Sequence, residues 1–509
     1  MKMIFLLLLG ALLGVALLPY ILFRQEAMPP GTNLASPAYP FDQAELLIDR
    51  TAWDPGNGQS RQEHQIFDAI LEEIAAAETF IIADFFLWNP WRGAIDSPGG
   101  LRPLAHELAS ALIEKQMRQP EMPILVITDP INRIYGEHAP DFYDRLAGAG
   151  IPVVFTALGQ LPDSNRLYAP QAWFWKKFLP PSDGPDARWR VGNPFNPEGE
   201  KLNLAEVGRL LLFKANHRKL LLTGRSGGKT RLLLPSLNPA DGSANHSNIG
   251  VRVDGAVARF AAQSELEVAR WSSAQPGNVQ GGLENKAHQA IAAIENYLAA
   301  LPQPSLAVAG QPSVAYRSEG AVRDEILLQL QQAGRDAKVE IGMFYFSDRK
   351  VIKALKESIQ RGAVARLLLD ANRDAFGREK NGIPNRVVAA ELMELAEDFA
   401  VQVRWAATHG EQFHSKVLRI SGPQQEILFL GSANWTRRNL GNLNLESNLL
   451  LANASLINAE FDAYFDSIWN NQRDLAESLP YEDWAETGWS LRWKTWLYRF
   501  QEWSGASTF

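Results

Sequence analysis

The 509-residue chain contains no cysteine. That excludes disulfides, thiolate metal sites, iron–sulfur clusters and cysteine nucleophiles. Any covalent chemistry must fall to Ser, Thr, His, Lys or a carboxylate. The compartment stays open, because a cysteine-free chain tolerates reducing and oxidising surroundings alike. No sign of charge dominates either: 57 acidic against 50 basic side chains leave a net charge of −7. Such a balance argues against a protein that coats nucleic acid by bulk charge. With 46% hydrophobic residues, disordered, collagen-like and low-complexity classes drop out, and there is ample material for packed cores. The length gives a prior of about three domains, or two if they are large α/β units.

One long apolar run stands at the N-terminus. Met3–Phe23 is 21 residues without a charge, with Lys2 before it and Arg24 after it. As a helix it spans about 31 Å, close to the hydrocarbon thickness of a bilayer. Leu18, Pro19, Tyr20 and Phe23 occupy its exit, where a cleaved signal would carry a small-x-small site. The expectation is therefore an uncleaved transmembrane signal anchor rather than a cleaved signal peptide. The positive N-terminal side places the rest of the chain outside the cytoplasm, which is the periplasm in a Gram-negative bacterium. Pro29–Pro40 (PPGTNLASPAYP) reads as a linker.

The remainder repeats itself once. TFIIADFFLW from Thr79 matches VEIGMFYFSD from Val339, and both read as buried strands. ILVITD ends at Asp129 and RLLLD ends at Asp370. IPVVFTA from Ile151 and VQVRWAA from Val401 follow. Strands alternating with helical stretches predict α/β units with mainly parallel pairing. Next, His217–Arg218–Lys219 leads through LLLTG and a turn to Ser236–Leu237–Asn238. His414–Ser415–Lys416 leads through VLRIS and a turn to Ser432–Ala433–Asn434. The His-to-Asn separations are 21 and 20 residues, and each hairpin precedes an apolar strand and a helix ending in Trp271 or Trp469. A hairpin returns the chain to its starting end, so each His-x-Lys lies beside its own Ser-x-Asn.

Two such sets brought together make an anion pocket of two His, two Lys, two Asn and two Ser. Lysine is a compact cation for phosphate oxygens, and Asn and Ser add neutral donors. Two histidines permit a division of labour: one neutral, as nucleophile on phosphorus, the other protonated, donating to the leaving oxygen. No metal or other cofactor is expected. A lone His-x-Lys carries almost no information. The conjunction of both motifs, twice, on duplicated strands is the signal.

On these residues the chain resembles the phospholipase D superfamily, over about residues 60–475. The second copy, HSK…GSANWTRRNLGNLNLESN, is the better match. The resemblance implies two duplicated αβα-sandwich domains around a shared active site. It also implies a covalent phosphohistidine, with His217 as nucleophile and His414 as acid and base. The family's motif continues from its Lys to an Asp; here those places hold Gly224 and Ser421. Pro235 stands where the family has Gly. A carboxylate after the second Asn is expected to orient His414, and Glu446 fits it. Aligning NHSN with LESN puts His246 opposite Glu446. A carboxylate there suits either role, so which histidine is the nucleophile stays open.

The family spans phospholipases, phospholipid synthases and nucleases. The anchor and the acidic balance favour phospholipid and membrane as partners over nucleic acid, with water or an alcohol as acceptor. The alternatives are a nucleic-acid phosphodiesterase and a catalytically weak lipid-binding member of the fold. No oligomer is required for the active site. An insertion at 158–214 carries Trp173, Phe174, Trp175 and Phe178 beside Lys176 and Lys177, either to touch an interface or acyl chain or to pack on the domain. In the tail, Trp489, Trp493, Trp496, Leu497, Phe500 and Trp503 keep helical spacing, with Arg492, Lys494 and Arg499 between them. That pattern suits either a membrane interface or docking on the domain. The expected layout is thus an anchor (1–24), a linker (25–45), a first domain (46–275) and a linker with a short helix (276–312). A second domain (313–478) and an amphipathic tail (479–509) complete it.

Overall fold

A computed structural model describes residues 17–56, 58–93, 100–134, 140–175, 190–193, 201–375, 378–472 and 475–507. Two eight-stranded sheets dominate it. The first runs Gln59–His64, Ala44–Asp54, Asn248–Asp254, Lys229–Pro235, Lys219–Arg225, Phe80–Phe85, Ile124–Thr128, Val153–Phe155. The second runs Ser313–Ser318, Ser447–Ala452, Gln425–Gly431, Lys416–Gly422, Lys338–Met343, Val364–Leu369, Val401–Ala406, Ser478–Pro480. Seven strands correspond one for one, so the internal duplication is a duplication of fold.

The pairing is mixed, which corrects the expectation of mainly parallel sheets. Phe80–Phe85, Ile124–Thr128 and Val153–Phe155 pair in parallel, as do their three counterparts. Every other ladder in the two sheets is antiparallel. The cause is local: a tight turn reverses the chain after each His-x-Lys strand, and a connection of three residues (226–228) or two (423–424) allows only antiparallel neighbours.

Helices cover both faces of each sheet, because strands such as FIIADF and ILVIT are buried throughout and a doubly buried sheet needs two apolar layers. Gln65–Ala76, Leu104–Arg118 and Asp141–Gly148 close the outer face of the first sheet, and Gly320–Gln332, Arg349–Gln360 and Asn385–Met393 that of the second. The helices Ala256–Ser273 and Ser455–Trp469 share one apolar cluster with strands of both sheets, so a single core joins the halves. Glu284–Ala300 forms the expected helix between them and buries Ala287, Ile291, Ile294 and Leu298.

Two buried ion pairs tie the halves together. Arg50 pairs with Glu477, and Arg218, wholly buried, reaches Glu265 of its own half and Glu319 of the other. Stripping either carboxylate from such a pair leaves an uncompensated buried charge. The stretch Pro29–Pro40 does not run free: Tyr39 and Ser36 pair by backbone with Val314 and Tyr316 on an edge strand of the second sheet. Among the described residues no helix is long and apolar enough to cross a membrane. Residues 1–16, most of the expected anchor, lie outside them. So do Lys176, Lys177, Phe178 and the side chain of Trp175.

Candidate active site

The two His-x-Lys motifs meet where the halves meet. The backbone N–H of His217 donates to Leu445 O at 2.9 Å, and that of His414 donates to Ser247 O at 2.8 Å. Each histidine is thus fixed by the strand entrance of the opposite half. The side chains cross in the same way: His217 Nδ1 lies 2.8 Å from Glu446 Oε1, and His414 Nδ1 lies 3.1 Å from Asn248 Oδ1. A carboxylate or amide oxygen only accepts, so each Nδ1 carries the proton and the neutral ring keeps its lone pair on Nε2.

Two expectations are corrected here. Glu446 orients His217 rather than His414, because the orienting strand comes from the other half. The residue opposite Glu446 is Asn248, not His246. Sheet register decides this, since Gly250 pairs with Pro235 as Asn448 pairs with Gly431. His246 is buried nearby, its Nδ1 accepting from Gln412 N at 3.2 Å and its ring 5.9 Å from that of His414.

The serines also take a different place. Ser236 Oγ lies 3.1 Å from Asn248 Oδ1, and Ser432 Oγ donates to Glu446. Both are fully buried behind the histidines. They hold the orienting residues and do not reach the cavity as donors to an anion.

Lys219 Nζ donates to His217 O at 2.9 Å and Lys416 Nζ to His414 O at 2.8 Å. Each ammonium also lies over an aromatic ring, Phe86 at 5.3 Å and Phe344 at 5.5 Å. Those rings also touch the histidines, at 4.7 Å and 5.1 Å between centroids. One His–Phe–Lys unit is therefore built twice.

Asp129 and Asp370 complete the symmetry. Their Oδ2 atoms accept from Asn216 N at 2.7 Å and Phe413 N at 2.8 Å, pinning the residue before each histidine. The matched strand-final Asp in the sequence was the signal for them. Nothing local in the sequence marks Asn248, Phe86 or Phe344.

His217, His414, Asn238 and Asn434 all line one cavity of about 1450 Å³. Its wall also includes Trp91, Trp173, Tyr345, Lys380 and Arg438. Gly224 and Ser421, at the places of the family's Asp, lie at the far end of the hairpin, about 20 Å along the strand from the histidines. At Gly224 a Cβ would sit 2.0 Å from Thr79 Oγ1, so no Asp fits there.

Residues 326–469 match the sequence model described as the cardiolipin synthase, phospholipase D-like domain. They form a phospholipase D-like domain. The crystal structure of phosphatidylserine synthase from Haemophilus influenzae aligns with a TM-score of 0.56 at 11% identity, over 93% of this chain and 96% of that one. Both halves thus share the fold of that enzyme. Polyphosphate kinase from Porphyromonas gingivalis aligns at 0.44 and 12% identity, over 91% of this chain and 54% of its own. Nuc, a phospholipase D family member from Salmonella typhimurium, aligns at 0.26 and 18% identity, over 33% of this chain and 98% of its own. No curated protein sequence matches the chain.

Burial sets the protonation of this site. It pushes His217 down to about 4, against the upward pull of Glu446. His414 is held well below the usual imidazole range by burial and then by Lys416. Lys219 is lowered to about 7 by burial. Burial alone would raise Glu446, but His217 beside it outweighs that and keeps the carboxyl below its ordinary value. At neutral pH the site therefore holds two neutral imidazoles facing one cavity. A carboxylate stands behind one and an amide behind the other.

Proposed function

We propose that the chain is a phospholipid-directed phosphodiesterase or phosphatidyltransferase of phospholipase D type. The crossed pairing of the two histidines carries this reading. A neutral Nε2 backed by a carboxylate is a nucleophile, and the second imidazole is available for proton transfer. His217 Nε2 attacks phosphorus, and the bond from phosphorus to the head-group oxygen breaks. His414 Nε2–H gives its proton to that oxygen. Water or an alcohol then loses its proton to His414 and attacks the phosphorus, the N–P bond breaks, and His217 is restored.

The assignment of His217 follows from its partner. Attack makes the ring an N-phosphorylated imidazolium, and Glu446 stabilises that positive charge where Asn248 offers only a dipole. His414 must be protonated to act first, and an anionic substrate beside it raises its proton affinity. Asn238 and Asn434, on the cavity wall, donate to the transferring group, while Lys219 and Lys416, buried behind it and bonded to the histidine carbonyls, act on its charge at a distance once the anionic substrate raises their proton affinity. An apolar-rich cavity of this size suits a phospholipid, and the relatives named above for cardiolipin and phosphatidylserine synthesis support that substrate class. The reading also places the catalytic halves beside a membrane, on its extracytoplasmic side. Protease digestion of intact cells tests the side.

Purified full-length chain offered phosphatidylglycerol, phosphatidylethanolamine and single-stranded DNA in parallel tests the substrate. Lipid turnover is expected, and cleavage of DNA without lipid turnover rejects the proposal in favour of a nuclease.

A further inference from the structure

The C-terminal helix Gly488–Ser504 is docked by one face only. Tyr498, Glu502 and Ser504 are buried, and Tyr498 OH donates to Ser347 O at 2.7 Å. Leu491 and Leu497 pack against the second core. The opposite face carries Trp489, Trp493, Trp496, Phe500 and Trp503, all exposed, with Trp489 at 76%. At 100° per residue these five fall within an arc of about 80°. Their rings form a continuous row, with neighbouring centroids 5.1–6.5 Å apart. Exposed Arg492 and Arg499 flank the row on one side. Five large aromatic side chains in one stripe form an apolar patch that soluble surfaces rarely carry without a partner.

The surroundings say what covers it. The N-terminal apolar run enters the described structure as the exposed turn around Leu17–Leu22. Its exit is pinned to the segment 163–173: Tyr20 OH donates to Leu167 O at 2.7 Å, Gln25 Nε2 to Asp163 O at 2.8 Å, and Phe23 packs edge-on to Trp173. The same segment holds the end of the Trp helix, since Arg166 N donates to Ser504 O at 2.7 Å. Arg24 and Trp173 line the cavity. The end of the apolar run, one wall of the cavity and the Trp helix therefore converge on one stretch of chain.

We propose that the exposed aromatic row lies in the interface of a phospholipid bilayer. Tryptophan favours this zone, where its ring meets acyl chains and its N–H meets head groups. Arg492 and Arg499 snorkel to anionic head groups. With the N-terminal run in the same bilayer, the cavity sits at lipid level, and a substrate need not leave the membrane to reach the histidines. The purpose of this arrangement rests on the lipid-directed reading above, but the docking is measured without turnover.

The absence of cysteine makes the test direct. Full-length Trp496→Cys carries a single nitroxide label and is reconstituted into phosphatidylglycerol–phosphatidylethanolamine vesicles. Gln424→Cys, in the exposed turn at the far end of the second hairpin, is the control. The label at 496 is expected to lose collisions with a water-soluble nickel chelate and gain collisions with oxygen, while the label at 424 stays water-accessible. Labels at 493 and 503 should follow 496. Equal nickel accessibility at 496 and 424 overturns the proposal. A short distance between labels on two chains overturns it too, by naming a second copy as the occupant.

Discussion

Replacing Glu446 by Gln keeps the shape of the site and removes one charge. In wild type, attack by His217 creates a cationic ring whose Nδ1–H lies 2.8 Å from Glu446 Oε1. Taking the two charge centres as about 4 Å apart at an effective dielectric of about 20, their attraction is about 4 kcal/mol. The amide retains a neutral hydrogen bond, about 1 kcal/mol. The difference of about 3 kcal/mol corresponds to a fall in kcat of about 10²-fold. Glu446 also accepts from Asn439 and Ser432, and Gln preserves a partner for each, so the variant should melt with wild type. The assay is turnover of vesicle or micelle phospholipid, with melting temperature as the control. A folded E446Q enzyme at the wild-type rate would mean that the carboxylate stabilises no charge in the rate-limiting step.

The same geometry yields further expectations. His217→Ala and His414→Ala should each abolish lipid turnover, and a wild-type rate in either sinks the two-histidine scheme. Because burial pushes His217 down to about 4, protonation blocks its Nε2 only below that pH. The acid limb of kcat/KM should lie near 4, with a decline at higher pH as His414, which must carry a proton to act first, loses it; an acid limb near 6.5 would mean that the nucleophile is not buried as described. Arg218 is enclosed by Glu265 and Glu319, so Arg218→Ala should cost about 3–5 kcal/mol in chemical denaturation. Asp129 accepts backbone N–H bonds on both oxygens, from Ile131 at 2.7 Å and from Asn216 at 2.7 Å. Asp129→Asn keeps one acceptor and should cost about 1–2 kcal/mol in chemical denaturation, and Asp129→Ala, which strands both N–H groups, should cost more.

What the sequence disclosed followed from duplication. A repeated hairpin with matched ends needs no structure to be recognised, and it placed His217, Asn238, His414 and Asn434 on one cavity. The matched runs around Thr79 and Val339 located the strand of each sheet at which antiparallel pairing gives way to parallel, Phe80–Phe85 and Lys338–Met343. What stayed hidden depends on contacts between the halves. Glu446 was legible as a carboxylate at the right distance from Asn434, but its histidine belongs to the other half, and no spacing within one copy carries that information. The NHSN and LESN stretches align by eye two residues out of register, because the loops before them differ in length. Ladder pairing restores the register and names Asn248. Ser236 and Ser432 look like substrate donors because serine often is one, but tertiary burial turns them inward. The tail showed its amphipathic spacing in sequence. Only the docked face, with Tyr498 inside, tells which rings remain outside.

The proposed scheme rests on a phosphohistidine at His217, with Glu446 behind it. Acid- or base-quenched mixing of full-length enzyme with phosphorus-labelled phospholipid, followed by peptide mapping, tests it most directly. The predicted result is label on the peptide containing His217, accumulating further in His414→Ala if that variant still admits attack. Label on His414, or turnover with no labelled histidine at any quench time, would contradict it.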